Sequence, residues 1–369
     1  MGTTLNASPA PASRSDILYP VQYLRAAAAL VVMFFHVSVL SQETWGLDPR
    51  RVDHVGAAGV DLFFVISGFI MAMIVARPGA FDGRDYWIRR VARVVPAYWV
   101  ITLVVFGLAA FVPSLFHSTT ASIPHLLTSL SFLAIDFRGG STVPLLVVGW
   151  TLNYEMFFYV VVAVTAGLFS DRRLWGASAV LIGLVFAGAL ISPANRTLAF
   201  YSDPILLEFV FGILIFQAWS RSRRSGFGIP PLIVFLVGLV LLILQWERPL
   251  NDWRPLYWGV PAAAVLYGGL GTLTFRNAFL ARLGDWSFAL YLTHVFVVTF
   301  YIKYAISSVS MVELSWPVHY LLMSVMAFGV AGLYFTIVER PLSRWALNRM
   351  RRRPAKPAAP ATAALDPAE

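Results

Sequence analysis

Long apolar segments recur along the whole chain, separated by short polar connections, and they restrict the fold more than any other feature of the sequence. Each segment is near the roughly 20 residues that a helix needs to cross about 30 Å of hydrocarbon. Of the 369 residues, 58% are hydrophobic and only 13% are charged, whereas soluble domains are about 25% charged. We therefore predict an all-α, polytopic membrane protein with about ten transmembrane helices, at residues 18–40, 57–76, 95–113, 147–168, 174–192, 204–219, 230–246, 256–274, 286–304 and 318–338.

These segments form one predicted transmembrane domain, residues 16–348, between two tails. The tails, residues 1–15 and 349–369, are rich in Ala and Pro and cannot bury a core, so we expect them to be disordered. The first apolar segment is long, contains Arg25 and lacks a small-residue cleavage motif, so it is interpreted as a span and not as a signal peptide. In the longest connection, the apolar stretch 123–135 predicts a short helix that lies on the membrane or re-enters it.

The distribution of Lys and Arg predicts the orientation of the chain. Roughly 20 of these residues fall on the side of the two termini, and about 7 fall in the opposite loops. The positive-inside rule therefore predicts that both termini are cytoplasmic. This topology explains the net charge of +9, and since no DNA-binding motif occurs, no nucleic-acid partner is expected. The chain has no Cys, and its six His residues lack metal-ligand spacings, so no metal site is expected.

Arg25 and His36 lie eleven residues apart in the first apolar segment, with no charged residue between them. Eleven steps of about 100° amount to roughly three helical turns, so both side chains point the same way, about 16 Å apart along the axis. Ionisable residues within a membrane are costly and generally face an interior cavity. We interpret Arg25 as a cation for an anionic ligand and His36 as a general base, because a neutral imidazole can accept a hydroxyl proton. The alternatives are that Arg25 extends to the lipid headgroups and that His36 only bonds a neighbouring helix.

Four further ionisable residues lie within predicted spans. Glu155 is expected at nearly the same depth as His36, which indicates a shared polar cavity and a catalytic role for Glu155. Its alternative is a structural ion pair or a hydrogen bond to a helix neighbour. Asp61 either lines this cavity or pairs with an arginine, and His294 either lines the donor path or forms a hydrogen bond between helices. Glu208 has no assigned role.

Arg90 and Arg93 lie three residues apart in a polar segment, so they share one face of a helix. Pro96 follows them and is expected to help start the third span. The guanidinium group suits bidentate binding of phosphates, so the two arginines are a candidate phosphate site at the cytoplasmic face. The alternative is that they are ordinary positive-inside charges.

Several of these motifs together resemble membrane acyltransferase family 3. The resemblance covers roughly residues 18–345 and is closest to the exopolysaccharide-production branch. The combination of the Arg25–His36 spacing with the Phe-Phe-Val-Ile-Ser-Gly-Phe run is specific, whereas the Glu-Arg-Pro-Leu motif is weak alone. The motifs that carry it are Tyr23-Leu24-Arg25 with His36, the run Gly59-Val60-Asp61 to Ser67-Gly68-Phe69-Ile70, Arg90 and Arg93 with Pro96 and Tyr98-Trp99, Trp150-Thr151-Leu152 with Glu155 and Tyr159, Ser287 to His294, and Glu339-Arg340-Pro341-Leu342.

The resemblance implies an O-acyltransferase that moves an acyl group, in general acetyl, from cytoplasmic acyl-CoA to a hydroxyl of an extracytoplasmic glycan such as exopolysaccharide. It implies that Arg25 and His36 are essential and that Arg90 and Arg93 bind the donor, with Tyr98 and Trp150 in the same donor site. Acyl-CoA would be a substrate and no cofactor would be bound permanently. The resemblance further implies the inner membrane of a bacterial cell, with polysaccharide-synthesis proteins as partners.

Two other functions fit the same apolar pattern. A transporter or flippase for a glycan or lipid-linked sugar would share the spans and the polar cavity, although no internal repeat of the kind common in transporters is found. A non-catalytic scaffold for polysaccharide synthesis would tolerate the loss of His36. Binding of acyl-CoA distinguishes the enzyme from the flippase.

Overall fold

The computed structural model describes residues 18–45, 54–112, 121–136, 142–169, 173–245, 253–305 and 316–351, and every regular element in them is a helix. The predicted all-α class is therefore confirmed. We number the helices α1 to α14 in chain order: Tyr19–Trp45, Ala58–Val75, Gly83–Phe111, Ile123–Leu130, Trp150–Leu168, Arg173–Ile191, Arg196–Tyr201, Leu207–Ser225, Pro231–Ile243, Val260–Thr272, Ala278–Asp285, Ser287–Phe300, Trp316–Tyr334 and Arg340–Arg351. Short 3₁₀ turns precede α2, α5 and α8, and π-helical turns precede α10, follow α12 and join α13 to α14.

Eight helical segments among the described residues are long and apolar enough to cross a membrane, and each corresponds to a predicted span. The two other predicted spans are shorter helices. Residues 230–246 give the 13-residue apolar helix α9, and residues 256–274 give the π-helical turn Pro255–Gly259 followed by the 13 residues of α10. The chain is thus a polytopic helical membrane protein, with eight of the ten predicted spans at full crossing length.

The third span differs from its prediction at its start. Asp82 caps the helix by accepting a hydrogen bond from the Asp85 backbone N–H at 3.0 Å, so α3 begins at Gly83 and Pro96 lies inside it. Proline inside a helix removes a hydrogen bond, but α14 packs along α3 and stabilises these polar turns. Arg90 and Arg93 therefore lie on the same continuous helix as the apolar span.

The structure covers only part of the two predicted tails, but it covers the stretch 123–135 that was predicted to lie on the membrane or re-enter it. Helix α14 ends at Arg351, so residues 349–351, expected in the tail, are helical. The rest of both predicted tails lies outside the described residues. The predicted short helix within 123–135 is present as α4, which ends at Leu130.

Helix α2 lies at the centre of the bundle, and most of its side chains are buried. Gly68 of α2 and Gly212 of α8 allow these two helices to approach closely. A Cβ at Gly68 would lie 2.1 Å from the Phe209 carbonyl oxygen, and a Cβ at Gly212 would lie 2.1 Å from that of Val65. Small residues at such contacts are typical of membrane helix bundles. On its other sides α2 contacts α1 and α5, and α1 also packs against α11 and α12.

Candidate active site

A cavity of about 150 Å³, here called the inner cavity, lies between α1, α2, α3, α5 and α12. Its lining is mostly apolar and includes Phe63, Phe64 and Phe288. The polar side chains that line it come from five helices and are Arg25, Ser67, Arg90, Arg93, Thr151, Glu155, Tyr159 and Tyr291. Four residues selected from three separate motifs, Arg25, Arg90 with Arg93, and Glu155, are thus brought to one cavity.

The three arginines of the inner cavity are not neutralised by ion pairs. Arg25 is 8% exposed, and its Nη1 donates a 3.4 Å hydrogen bond to Gln22 Oε1. The buried Nε of Arg90 has no hydrogen-bond partner, and its guanidinium lies 5.8 Å from the centre of the Tyr159 ring. Within the part of the chain that the structure describes, none of these arginines has a carboxylate oxygen within 4.0 Å. Arg25 is a buried cation without a counter-ion, which is costly, whereas Arg90 is half-buried and Arg93 is exposed. Three unpaired guanidinium groups at one place indicate a site for an anion.

A second cavity of about 360 Å³, here called the vestibule, shares Arg25, Arg90 and Arg93 with the inner cavity. These three arginines, here called the neck, therefore stand between the two spaces. The other lining residues of the vestibule come from α1, α3, α11, α14 and the π-helical turn before α14, and they are Gln22, Arg89, Ala92, Asp285, Phe335, Glu339, Arg340, Ser343, Arg344 and Leu347.

Glu155 lies in the inner cavity, but it has no hydrogen bond to His36. Its Oε1 accepts hydrogen bonds from Ser67 Oγ, at 3.3 Å, and from Tyr159 Oη. The expectation that Glu155 and His36 share one polar cavity is therefore wrong for this structure, because Glu155 lines the inner cavity and His36 does not. The observed partner Tyr159, four residues further along α5, matches the alternative of a hydrogen bond to a helix neighbour.

His36 lies outside the inner cavity and contacts His294 instead. The helix places Arg25 and His36 on one side, but their axial separation of about 16 Å exceeds the reach of the cavity, whose lining does not include His36. The His36 Nδ1 and His294 Nε2 atoms are 3.3 Å apart, and the ring centres are 4.9 Å apart. The sequence left two roles open for His294, lining the donor path or forming a hydrogen bond between helices. The structure has the second, because His294 is fully buried and contacts His36 of α1.

The backbone contacts of the two histidines assign their protons. His36 Nδ1 is 2.9 Å from the Val32 carbonyl oxygen, and His294 Nδ1 is 3.1 Å from that of Leu290. A carbonyl oxygen only accepts hydrogen bonds, so each Nδ1 carries a proton when its ring is neutral. His294 Nε2 is then an acceptor for the Nδ1–H of His36. The remaining nitrogen, His36 Nε2, has a free lone pair and can act as a base.

Tyr291 lies between the inner cavity and the histidine pair. It lines the cavity, and its ring centre is 5.8 Å from that of His294, which follows three residues later on α12. Its hydroxyl donates to the Val148 carbonyl oxygen at 2.9 Å. Tyr159 and Tyr291 were not selected as site residues from the sequence, although their helical spacings of four and three from Glu155 and His294 were available signals.

Asp61 forms an ion pair and does not line the inner cavity. Its two carboxylate oxygens accept hydrogen bonds from Arg254 Nε and Nη2, each at 2.8 Å. The side chain of Asp61 is inaccessible, and that of Arg254 is 12% exposed. Of the two alternatives for Asp61, lining the shared cavity as a substrate-binding residue or pairing with an arginine, the structure has the pair with an arginine. The ion pair is tolerated although it is buried, because its bidentate geometry provides hydrogen bonds for both charged groups.

Tyr98 and Trp150 are packing residues outside both cavities. Tyr98 is fully buried against Phe132, with ring centres 4.7 Å apart. Trp150 packs against Tyr154, and the Arg254 guanidinium lies 6.0 Å from the Trp150 ring centre. Both were expected in the donor site, and the structure corrects this expectation because neither lines the cavities that the arginines share.

The described helices and this buried polar site define a multi-pass membrane protein whose interior is built to hold charged and titratable groups. The acyltransferase domain family, Acyl_transf_3, matches residues 19–336, which is most of the chain. The chain belongs to this family, and it is a membrane O-acyltransferase.

Three relatives illustrate the range of the family. The exopolysaccharide production protein ExoZ of Rhizobium meliloti (strain 1021) is 33% identical over 304 residues, which cover 79% of this chain and 90% of that protein. The acyltransferase MdmB of Streptomyces mycarofaciens is 28% identical over 393 residues, covering 94% of each chain. SACOL0978 of Staphylococcus aureus (strain COL), whose name describes a candidate O-acetyltransferase, is 24% identical over 371 residues, and the match covers 90% of this chain but 58% of that protein. No solved structure matches the chain.

Proposed function

We propose that this enzyme transfers an acyl group, specifically acetyl, from cytoplasmic acyl-CoA to a hydroxyl of an extracytoplasmic glycan such as exopolysaccharide. The enzyme would reside in the inner membrane of a bacterial cell with both termini in the cytoplasm, as the distribution of Lys and Arg favours. The relative ExoZ supports a polysaccharide acceptor by its name. The observation that carries the proposal is the neck, where three unpaired arginines separate an open vestibule from a mostly apolar cavity.

The chemistry of acyl-CoA suits these two spaces. Its phosphates are charged and cannot enter the apolar interior, so they remain in the vestibule and against the neck, where guanidinium groups bind phosphate well. Its pantetheine arm is slender and uncharged, so it passes between Arg25 and Arg93 into the inner cavity. The aromatic lining that includes Phe63 and Phe288 favours this arm. The thioester would then lie on the side of Tyr291, towards the histidine pair.

His36 would act as the general base. Its Nε2 removes the proton of the acceptor hydroxyl, and the hydroxyl oxygen attacks the carbonyl carbon of the thioester. The carbon–sulfur bond breaks, and the CoA thiolate leaves with the proton that His36 has taken up. Because the inner cavity ends at Tyr291 and not at His36, the acyl end must pass the Tyr291 ring to react. General-base catalysis contributes about 10²- to 10⁴-fold to a rate.

His294 and Glu155 would support this reaction as positioning residues. The Val32 carbonyl holds the Nδ1–H tautomer that leaves His36 Nε2 free, and His294 Nε2, which is 3.3 Å from the same Nδ1, stabilises the imidazolium that forms. Glu155 acts on the donor side. Through Tyr159, which lies under the Arg90 guanidinium, it holds one member of the neck in place and adds a negative charge near the arginines.

The test uses purified protein, labelled acetyl-CoA and a glycan acceptor. We expect His36→Ala to lower the transfer rate by about 10²- to 10⁴-fold and Arg90→Ala with Arg93→Ala to raise the donor KM. His319→Ala is the matched control, because His319 is also buried but hydrogen-bonds Tyr301 on the other side of α12. A wild-type protein that binds no CoA, with unchanged glycan acetylation in a deletion strain, would refute the enzyme and favour a flippase.

A further inference from the structure

Helix α14 presents an unpaired basic face to the vestibule. Arg340, Ser343, Arg344 and Leu347 all line this space, and their spacing of three, four and seven residues places them on one side of the helix. Among the described residues neither Arg340 nor Arg344 has a carboxylate within 4.0 Å. Arg351 of the same helix differs, because it pairs with Asp85 at 2.6 Å.

The vestibule carries an excess of positive charge. Six arginines and two carboxylates, Asp285 and Glu339, line it. Arg89 pairs with Asp85 outside the lining, so five unpaired arginines stand against two carboxylates and leave an excess of three positive charges. The nucleotide end of CoA carries a diphosphate and a phosphomonoester, together about four negative charges at pH 7. The vestibule and the nucleotide thus carry opposite charges of similar size, three positive against about four negative.

The arginines occur in two layers. Arg25, Arg90 and Arg93 line both cavities, whereas Arg340 and Arg344 line only the vestibule and are exposed. The donor has its groups in the same order: the arm enters first, the diphosphate follows, and the ribose with its 3′-phosphate comes last. When the arm occupies the inner cavity, the diphosphate lies at the neck and the 3′-phosphate lies one layer further out.

We infer that Arg340 and Arg344 form a phosphomonoester site that binds the 3′-phosphate of the donor nucleotide. This inference rests on the proposed function, since it takes CoA as the donor head. It adds α14 to the donor site and makes the enzyme select CoA over its 3′-dephospho form. An anionic lipid headgroup offers the same phosphate chemistry to this helix, and the experiment separates the two sources.

The experiment measures binding of CoA and of 3′-dephospho-CoA to the full-length protein in neutral-lipid nanodiscs. Wild type is expected to bind CoA about tenfold more tightly or better, because a charge-assisted contact to phosphate is worth that much. Arg340→Gln with Arg344→Gln should weaken CoA binding to the level of 3′-dephospho-CoA and leave 3′-dephospho-CoA unaffected. Arg349→Gln is the control, because Arg349 is exposed on α14 but does not line the vestibule; it should change neither affinity.

Three results would overturn the inference. Equal binding of both compounds by wild type removes the 3′-phosphate site but leaves CoA as the donor. If the double variant loses affinity for CoA and for 3′-dephospho-CoA equally, the two arginines act on the neck or on folding and not on the 3′-phosphate. An effect of the double variant that appears only in nanodiscs with anionic lipid assigns the arginines to headgroups. Wild type that binds neither compound refutes the proposed donor itself, so this failure is distinguishable from the others.

Discussion

Removal of the His294 imidazole tests the histidine pair most directly. His294→Ala deletes the only ring acceptor within 3.3 Å of His36 Nδ1 among the described residues. The Val32 carbonyl still accepts the Nδ1–H of His36, but the imidazolium that forms during the reaction loses its second acceptor. A hydrogen bond to a charged group is worth about 1.5 to 3 kcal/mol, and about 1.4 kcal/mol corresponds to tenfold, so kcat should fall by roughly 10- to 150-fold.

The donor KM should change little, because His294 does not line either cavity that the arginines share. His294→Gln retains an oxygen acceptor and should restore much of the rate. Nitrogen-15 NMR of labelled His36 should show a proton on Nδ1 in wild type and in His294→Ala, because the Val32 carbonyl accepts it in both proteins.

Loss of a buried ring also destabilises a protein, so the folding cost needs its own control. His319→Ala removes another buried histidine, which contacts Tyr301 at 3.0 Å. Both variants should lower the melting temperature, but only His294→Ala should lower kcat strongly. If a folded His294→Ala enzyme keeps the rate of His319→Ala, the proposed role of His294 is wrong.

Three further predictions concern packing and charge. Gly68→Ala should destabilise the protein by about 1–3 kcal/mol or more, because its Cβ would meet the Phe209 carbonyl, whereas Gly107→Ala meets nothing within 4 Å and should leave the thermal midpoint unchanged or higher. Asp61→Asn should lower the free energy of unfolding by about 3–5 kcal/mol, because it leaves the buried Arg254 without its carboxylate partner. The double variant Asp61→Asn with Arg254→Met should recover part of this loss in denaturation assays. Asp285→Asn should lower the donor KM severalfold by removing a negative charge from the vestibule; a raised KM would contradict the phosphate assignment. Partial burial raises the pKa of Asp285 against the opposing effect of Arg25, so protonation of Asp285 at low pH should move the wild-type KM towards the variant's value at a higher pH than for an ordinary aspartate.

The sequence was sufficient for the parts of the fold that depend on local composition. Apolar runs near 20 residues predicted the helices, and the cost of ionisable groups in a membrane marked Arg25 and His36 as site candidates. Such arguments depend on the chain's own periodicity and on the lipid environment. They do not require knowledge of which helices are neighbours.

The remaining features depend on neighbours that are distant in sequence. His36 contacts His294, which is 258 residues away, and Asp61 contacts Arg254, which is 193 residues away. Helical periodicity gives the face of each residue but not the helix that packs against that face. Trp150 shows the same limit, since a large aromatic residue beside a site motif fits a ligand site or a core equally well before the helices are assembled.

The neck has a consequence for the energetics of the membrane. An enzyme that admits one substrate from each side contains an aqueous path that is nearly continuous, and such a path would conduct protons and dissipate the transmembrane potential. Three guanidinium groups lie where the two cavities meet, and fixed positive charges at such a point repel hydronium and metal cations, as they do in water-selective pores. On the proposed mechanism, the arginines that attract the donor would therefore also insulate the cell, and neutralising them would make the bilayer leak as well as slow the enzyme.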